Sequence, residues 1–242
     1  MLTYNNTAKE INESDVDTAI LPIGSVEQHS SHLPIATDVI LAKEIAAAVS
    51  KRINALLLPT IPFSTCYEHK GVKGSICMRP ITFYRMLEDI VLNLKEQGFK
   101  NVIVILGHGG IFAAGPAVRE LNATTDGIRV ILVDPALVSS GTSAFIENKE
   151  LEIHAGEVET SIMLYLRETL VNKELMLNND CEPAYPQAIL NSAPMIKVST
   201  TGAWGKPSLA TREKGEKLFA LRVDNAVKYI ESALAISPEE KW

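Results

Sequence analysis

Asn101-Val102-Ile103-Val104-Ile105-Leu106 runs directly into Gly107-His108-Gly109-Gly110. Five consecutive apolar residues, four of them β-branched, are too few for a buried helix and suit a strand covered on both faces. Gly107 ends the run. A strand that stops at a histidine set among glycines marks the region where open α/β sheets take their ligands, beyond the carboxyl ends of the strands.

Outward from this stretch the pattern repeats. Ala19–Ile23, ending at Gly24, and Ile128–Val133 read as further buried strands. Ala55–Ile61 is strand-like, with Pro59 and Pro62 marking its end. Helical spacing covers Val39–Ile53, with Asp38 as a candidate N-cap, and Ile81–Gln97, stopped at Gly98. Gly115–Asn122, Gly156–Leu170 and Arg212–Ala235 complete the helices. Thr65–Pro80 reads as a polar loop, and Leu175–Gly205, with Pro183, Pro186 and Pro194, as the least regular stretch. Alternating strands and helices imply an α/β fold: three layers, with a mainly parallel central sheet and helices on both faces. A chain of 242 residues suits one such domain over 1–242.

Composition narrows the class. Hydrophobic residues make up 46% of the chain and aromatics only 6%, so the core is built from Ile, Leu, Val and Ala. The net charge is −6 and no basic cluster stands out, which argues against nucleic acid and anionic membrane as partners. Cys66, Cys77 and Cys181 form no C-x-x-C pair and no disulfide framework. Met1–Asp15 lacks the basic start and apolar stretch of a signal peptide, and no apolar run reaches the roughly 18 residues of a membrane span. A reduced, cytoplasmic protein is expected.

The chemistry gathers behind two strands. The first leads to Gly24-Ser25-Val26-Glu27-Gln28-His29, then Thr37-Asp38; the second leads to His108. Residues two apart in extended chain point the same way, so Glu27 and His29 can reach one space. Carboxylate and imidazole are ligands for zinc, manganese and iron, and Asp38 could bridge two ions. Each signal also has a plain reading: E-x-H is common, Asp38 could simply cap a helix, and the glycines could form a tight turn. A third cluster is His154-Ala155-Gly156-Glu157-Val158-Glu159-Thr160-Ser161. Acids in a first helical turn suit the macrodipole, but one of them could complete a metal shell. Helical geometry cannot aim both at one spot, and spacing does not choose between Glu157 and Glu159. Other mechanisms find less support. Gly24-Ser25-Val26-Glu27 is not a G-x-S-x-G elbow, and Gly107–Gly110 lacks the rest of a phosphate or dinucleotide loop.

These motifs resemble the creatininase (creatinine amidohydrolase) family. Its N-terminal pattern P-x-G-S-x-E-Q-H-G-x-H-L-P-x-x-T-D stands here as Pro22 to Asp38, and N-G-H-G-G-N as Leu106 to Ile111. H-A-G-E-x-E-T-S stands as His154 to Ser161, and a late glycine-rich pattern matches Gly202 to Gly215. The resemblance implies two divalent metal ions per subunit (Zn, Mn or Fe), held through Glu27, His29, Asp38, His108 and a further glutamate, with Asp38 bridging. In creatininase an acid two residues after the strand-end histidine is also a ligand. Gly110 stands in that place, which turns the expectation to Glu159. His154 matches a residue that handles substrate. The family also implies a homo-oligomer, often a hexamer. Three positions depart from the pattern: Ser30 replaces a glycine, and Leu106 and Ile111 replace two asparagines, making the rim more apolar.

The expected function is metal-activated hydrolysis of a C–N bond in a small, possibly cyclic, amide. His154 and Glu159 are the expected proton-handling groups; Ser75, His154 and Trp204 are expected to bind substrate, with Tyr67, His69 and Tyr185 as further pocket candidates. Gln28, Thr37, Thr160 and Ser161 are expected to orient the ligands. Two alternatives are a metal enzyme that cuts a C–C bond or isomerises a sugar-like ring, and a metal-binding member without catalysis.

Overall fold

The computed structural model describes residues 1–148 and 152–236, so the C-terminal end of the expected 1–242 domain and residues 149–151 lie outside the described residues. In chain order the elements are β1 (Leu2–Thr3), α1 (Ala8–Asn12), β2 (Thr18–Ile23), α2 (Thr37–Ser50), β3 (Leu56–Leu57), α3 (Pro80–Glu96) and β4 (Asn101–Leu106). They continue with α4 (Ala114–Thr124), β5 (Arg129–Val133), α5 (Glu157–Arg167), α6 (Lys173–Met176), α7 (Met195–Val198) and α8 (Arg212–Ala235). The strands form one five-stranded parallel sheet in the order β1-β3-β2-β4-β5.

Strand alternation distributes the core between two layers. Val102, Val104 and Leu106 of β4 face one way, with Ala19, Leu21 and Ile23 of β2, and pack against Phe83, Leu87, Val91 and Leu94 of α3 and Leu121 of α4. Ile103 and Ile105, with Ile20, face the other way onto Ile45 and Val49 of α2 and Val227 and Ile230 of α8. These strand residues are almost completely buried. Each such side chain contributes about 1.5–3 kcal/mol of transfer free energy, which makes the three-layer arrangement the stable outcome of the apolar runs. A third apolar group joins α5 to Leu33, Leu41 and Leu218. Among the described residues no helix is long and apolar enough to cross a membrane.

Three expectations are corrected. The strand expected over Ala55–Ile61 pairs regularly only at Leu56–Leu57, because Pro59 has no N–H to continue the ladder. Its far end still reaches β2, where Ile61 N donates to Pro22 O at 2.9 Å. Asp38 is not a cap: the helix starts at Thr37 behind Ala36, and Asp38 lies inside its first turn with 1% exposure. Arg167 ends α5, and the last expected turn, Glu168–Leu170, is a 3-10 helix.

The register sets up the site. β2 and β4 pair from Thr18↔Asn101 to Ile23↔Leu106 and finish level. The next residues are Gly24 and Gly107, and the start of α2 lies against both. A Cβ at Gly24 would stand 2.6 Å from the Val39 backbone, and one at Gly107 2.2 Å from Asp38 O. Only glycine permits that approach.

Candidate metal centre

Beyond β2 the chain passes through Gly24 to His29, bringing Glu27 and His29 into the interior with no exposed surface. Glu27 O accepts from His29 Nδ1 at 3.2 Å, which leaves the lone pair on Nε2. That nitrogen lies 3.1 Å from Asp38 Oδ1 and 3.9 Å from Glu159 Oε2. On the other side, His108 Nδ1 lies 3.1 Å from Glu27 Oε1 and 3.3 Å from Asp38 Oδ2. Asp38 thus presents one oxygen to each of two groups: Glu27, Asp38 and His108, and His29, Asp38 and Glu159. Both have ligand atoms within 4.8 Å of one another. Glu27 Oε1, Glu27 Oε2 and Asp38 Oδ2 are buried without a hydrogen-bond partner. Buried anionic oxygens left this way are costly unless a cation meets them, so the donor set fits divalent metal ions.

The third cluster separates its two acids. Glu157 accepts from Glu147 N at 3.0 Å, Asn148 N at 2.9 Å and Lys214 Nζ at 2.5 Å, and so pins α5 to its surroundings. Glu159 points instead towards His29, and its Oε2 accepts from Ala155 N at 2.6 Å. Ala155 holds a left-handed φ of 48° to aim that N–H. His154 Nε2 donates to Gln28 O at 2.8 Å, so Nδ1 faces the cluster, 3.9 Å from Glu27 Oε1. Its ring sits between those of His29 and His69, with centroids at 4.3 and 4.4 Å.

The loop Thr65–Pro80 adds residues that sequence reasoning missed or ranked low. His69 Nδ1 accepts from Gln28 Nε2 at 2.9 Å, turning Nε2 towards Glu27 Oε1 at 3.1 Å. Glu68, 7% exposed, places Oε1 3.2 Å from His108 Nε2, close but off the hydrogen-bond angle. It occupies space that a side chain at position 110 would take: a Cβ on Gly110 would stand 1.6 Å from Glu68 Oε1. The signal was the absence of an acid at Gly110, which called for a carboxylate from elsewhere.

Electrostatics follow the geometry. Burial alone would raise Glu27, but the His108 and His69 rings outweigh it and hold the carboxyl well below its usual range. Burial opposes charge on His29, yet Asp38, Glu159 and Glu27 lift it to about 9. His108 is raised in the same way, chiefly by Glu27 and Asp38 against burial. His154 moves oppositely: burial and the neighbouring His29 and His69 rings push it well below the usual imidazole range.

Other expected residues lie elsewhere. Ser75 Oγ accepts from Gln28 N at 2.9 Å and so steadies Gln28. Trp204 is fully buried and pairs by backbone with His154, so its indole is closed to a substrate. His32 Nε2 meets Thr160 Oγ1 at 2.9 Å, outside the cluster. Thr37 Oγ1 donates to Pro34 O and Ser161 Oγ accepts from Thr211 N, so of the expected orienting residues only Gln28 touches the cluster. Tyr67 and Tyr185 are exposed. A cavity of about 260 Å³ opens onto the site, lined by His108, His154 and Glu159 together with Asp134, Glu152 and Arg222.

The chain is similar to known proteins along most of its length. The profile of the family described as creatinine amidohydrolase matches residues 3–230. The mycofactocin precursor peptide peptidase of Mycolicibacterium smegmatis (strain ATCC 700084 / mc(2)155) is 25% identical over 232 residues, covering 93% of this chain and 88% of the relative. The creatinine amidohydrolase of Pseudomonas putida is 25% identical over 222 residues, covering 84% and 85%. A crystal structure from Bacteroides fragilis NCTC 9343 superposes with a TM-score of 0.84 at 27% identity, over 99% of this chain and 98% of the other.

Proposed function

Because the chain belongs to the creatininase family, we propose that it is a hydrolase using two divalent metal ions, zinc, manganese or iron, to cleave a C–N bond in a small amide. The relatives support the bond class, since one acts on a precursor peptide and one on creatinine. The observation that carries the reading is Asp38, buried and offering one oxygen to each of two ligand groups. Glu27 and His108 would complete one group, and His29 and Glu159 the other. Such ions, when bound, lower the pKa of a water molecule towards neutrality and polarise a carbonyl.

The chain's own residues supply the rest. His154, neutral and with Nδ1 turned into the site, takes a proton and delivers it to the leaving nitrogen. Glu159, tied by Ala155 N, shares that role at the mouth of the cavity. Gln28 fixes both His69 and His154, so the two rings keep one arrangement. The substrate is small, given a cavity of about 260 Å³. A hexameric assembly and a cytoplasmic location belong to the same proposal; light scattering and fractionation measure them.

The test is metal counting on protein purified without chelator, for the natural chain and for Asp38→Ala. About two ions per chain are expected, and about one or none in the variant, with loss of turnover on a panel of cyclic and acyclic amides. A natural chain free of stoichiometric metal, or an indifferent Asp38→Ala, refutes the reading.

A further inference from the structure

Helix α8 carries one residue that its packing does not explain. Its buried stripe runs through Gly215, Leu218, Ala226 and Ile230. Arg222 stands on that stripe, four residues from both Leu218 and Ala226, where helical spacing calls for an apolar side chain. Arg222 lines the cavity that also holds His108, His154 and Glu159. Glu159 and Asp134 are near enough to act on it through their charge. Among the described residues, however, it makes no hydrogen bond and no ion pair. Arginine is always charged and carries five N–H donors in a planar fork, so a half-buried Arg222 with no protein acceptor is open to a ligand that brings one.

We propose that Arg222 receives an oxyanion group of the substrate, a carboxylate, while the amide to be cleaved lies over the metal centre. The enzyme would then act on small acidic amides. This rests on the hydrolase reading above and adds the substrate class to it. Asp134, Glu152 and Glu159 also line the cavity, so the place for an anionic group is at the Arg222 fork itself, with the divalent ions, when bound, offsetting Glu27, Asp38 and Glu159. The fork of Arg222 matches a carboxylate through two parallel hydrogen bonds. The size of the cavity, about 260 Å³, suits a molecule of few heavy atoms.

The test uses calorimetric binding to the metal-loaded protein. The probes are succinamate, which carries an amide and a carboxylate, and succinamide, its neutral counterpart. Phosphonoacetamide tests whether a phosphonate serves instead. The natural chain should prefer succinamate by about 10- to 100-fold, the value of a charge-assisted pair. Arg222→Met should erase the preference while metal content stays the same, and Arg222→Lys should keep part of it. A preference retained in Arg222→Met means that the metals alone hold the carboxylate and overturns the proposal. So does equal binding of the two probes, no binding of succinamate, or a stronger preference for phosphonoacetamide. Should Arg222→Met fail to fold, Arg222→Gln carries the same comparison. Metal counts on the same samples separate the two readings: a natural chain without metal sinks the hydrolase proposal, whereas lost probe selectivity with full metal sinks only this one.

Discussion

Gly110→Ala should cut the link between His108 and Glu68 without unfolding the protein. The added Cβ would stand 1.6 Å from Glu68 Oε1, 2.8 Å from Glu68 Cδ and 2.4 Å from His108 Nε2, against an ordinary separation of about 3.5–4.0 Å between carbon atoms. Gly110 does not use a left-handed backbone, so the effect is steric alone. Glu68 Oε1 ends a flexible side chain and can swing aside, but the buried His108 ring, held by Glu27 and Asp38, must also shift, which puts the stability loss at about 2–3 kcal/mol, the upper part of the range for overpacking. The larger effect falls on the metal centre. With Nδ1 facing Glu27 and Asp38, the outer nitrogen of His108 is left to Glu68. Removing such an outer partner lowers metal affinity by about 10- to 100-fold. Competition for zinc against a chromophoric chelator measures this directly, and Glu68→Gln gives a matched comparison. A double mutant with Glu68→Ala should show less than the sum of the two single losses, since both act on one contact. If Gly110→Ala binds zinc as the natural chain does, or if the losses simply add, Glu68 does not steady His108.

The remaining predictions concern protons and the two acids of α5. Burial opposes charge on His29, but Asp38, Glu159 and Glu27 raise it from 6.5 to about 9. A raised histidine contributes stability that is complete below about pH 6.5 and is lost as pH climbs through about 9, here of the order of 3 kcal/mol. Chelator-stripped protein should therefore melt lower as pH rises over that window, while its zinc affinity rises because the same proton must leave; a flat melting profile contradicts this. Glu157→Gln should cost about 1.5–3 kcal/mol by weakening the bonds it accepts from Lys214 and from the Glu147 and Asn148 amides, Lys214 keeping Glu147 and Leu209 O, with metal content unchanged. Glu159→Gln should lose metal with a smaller fall in melting temperature, and exchanged outcomes would reverse the assignment of the two glutamates.

The sheet was legible because its strands are short apolar runs ended by glycines, as at Leu106-Gly107. Glu27, His29, Asp38 and His108 were legible because they follow such ends directly. Glu157 and Glu159 could not be told apart, since helical spacing says only that they diverge; the backbone of Glu147 and Asn148 decides which is held away. Glu68 and His69 stayed obscure because they reach the centre from an aperiodic loop, and their partners lie about forty residues away in sequence. Arg222 was hidden by a regular helix in which one arginine looks like any other surface charge. The N-terminal helix α1 was missed although Thr7 and Glu10 form its capping box, a signal written in the chain but weak over five residues.

The glycines at 24 and 107 have a consequence for transplanting this chemistry. Someone copying the five side chains onto another parallel sheet would reproduce the visible recipe and still fail, because the helix bearing Asp38 could not sink between the strand tips. The distance between the ligand groups is written in two absent methyl groups. A successful graft would have to begin with those bare positions and add the donors afterwards.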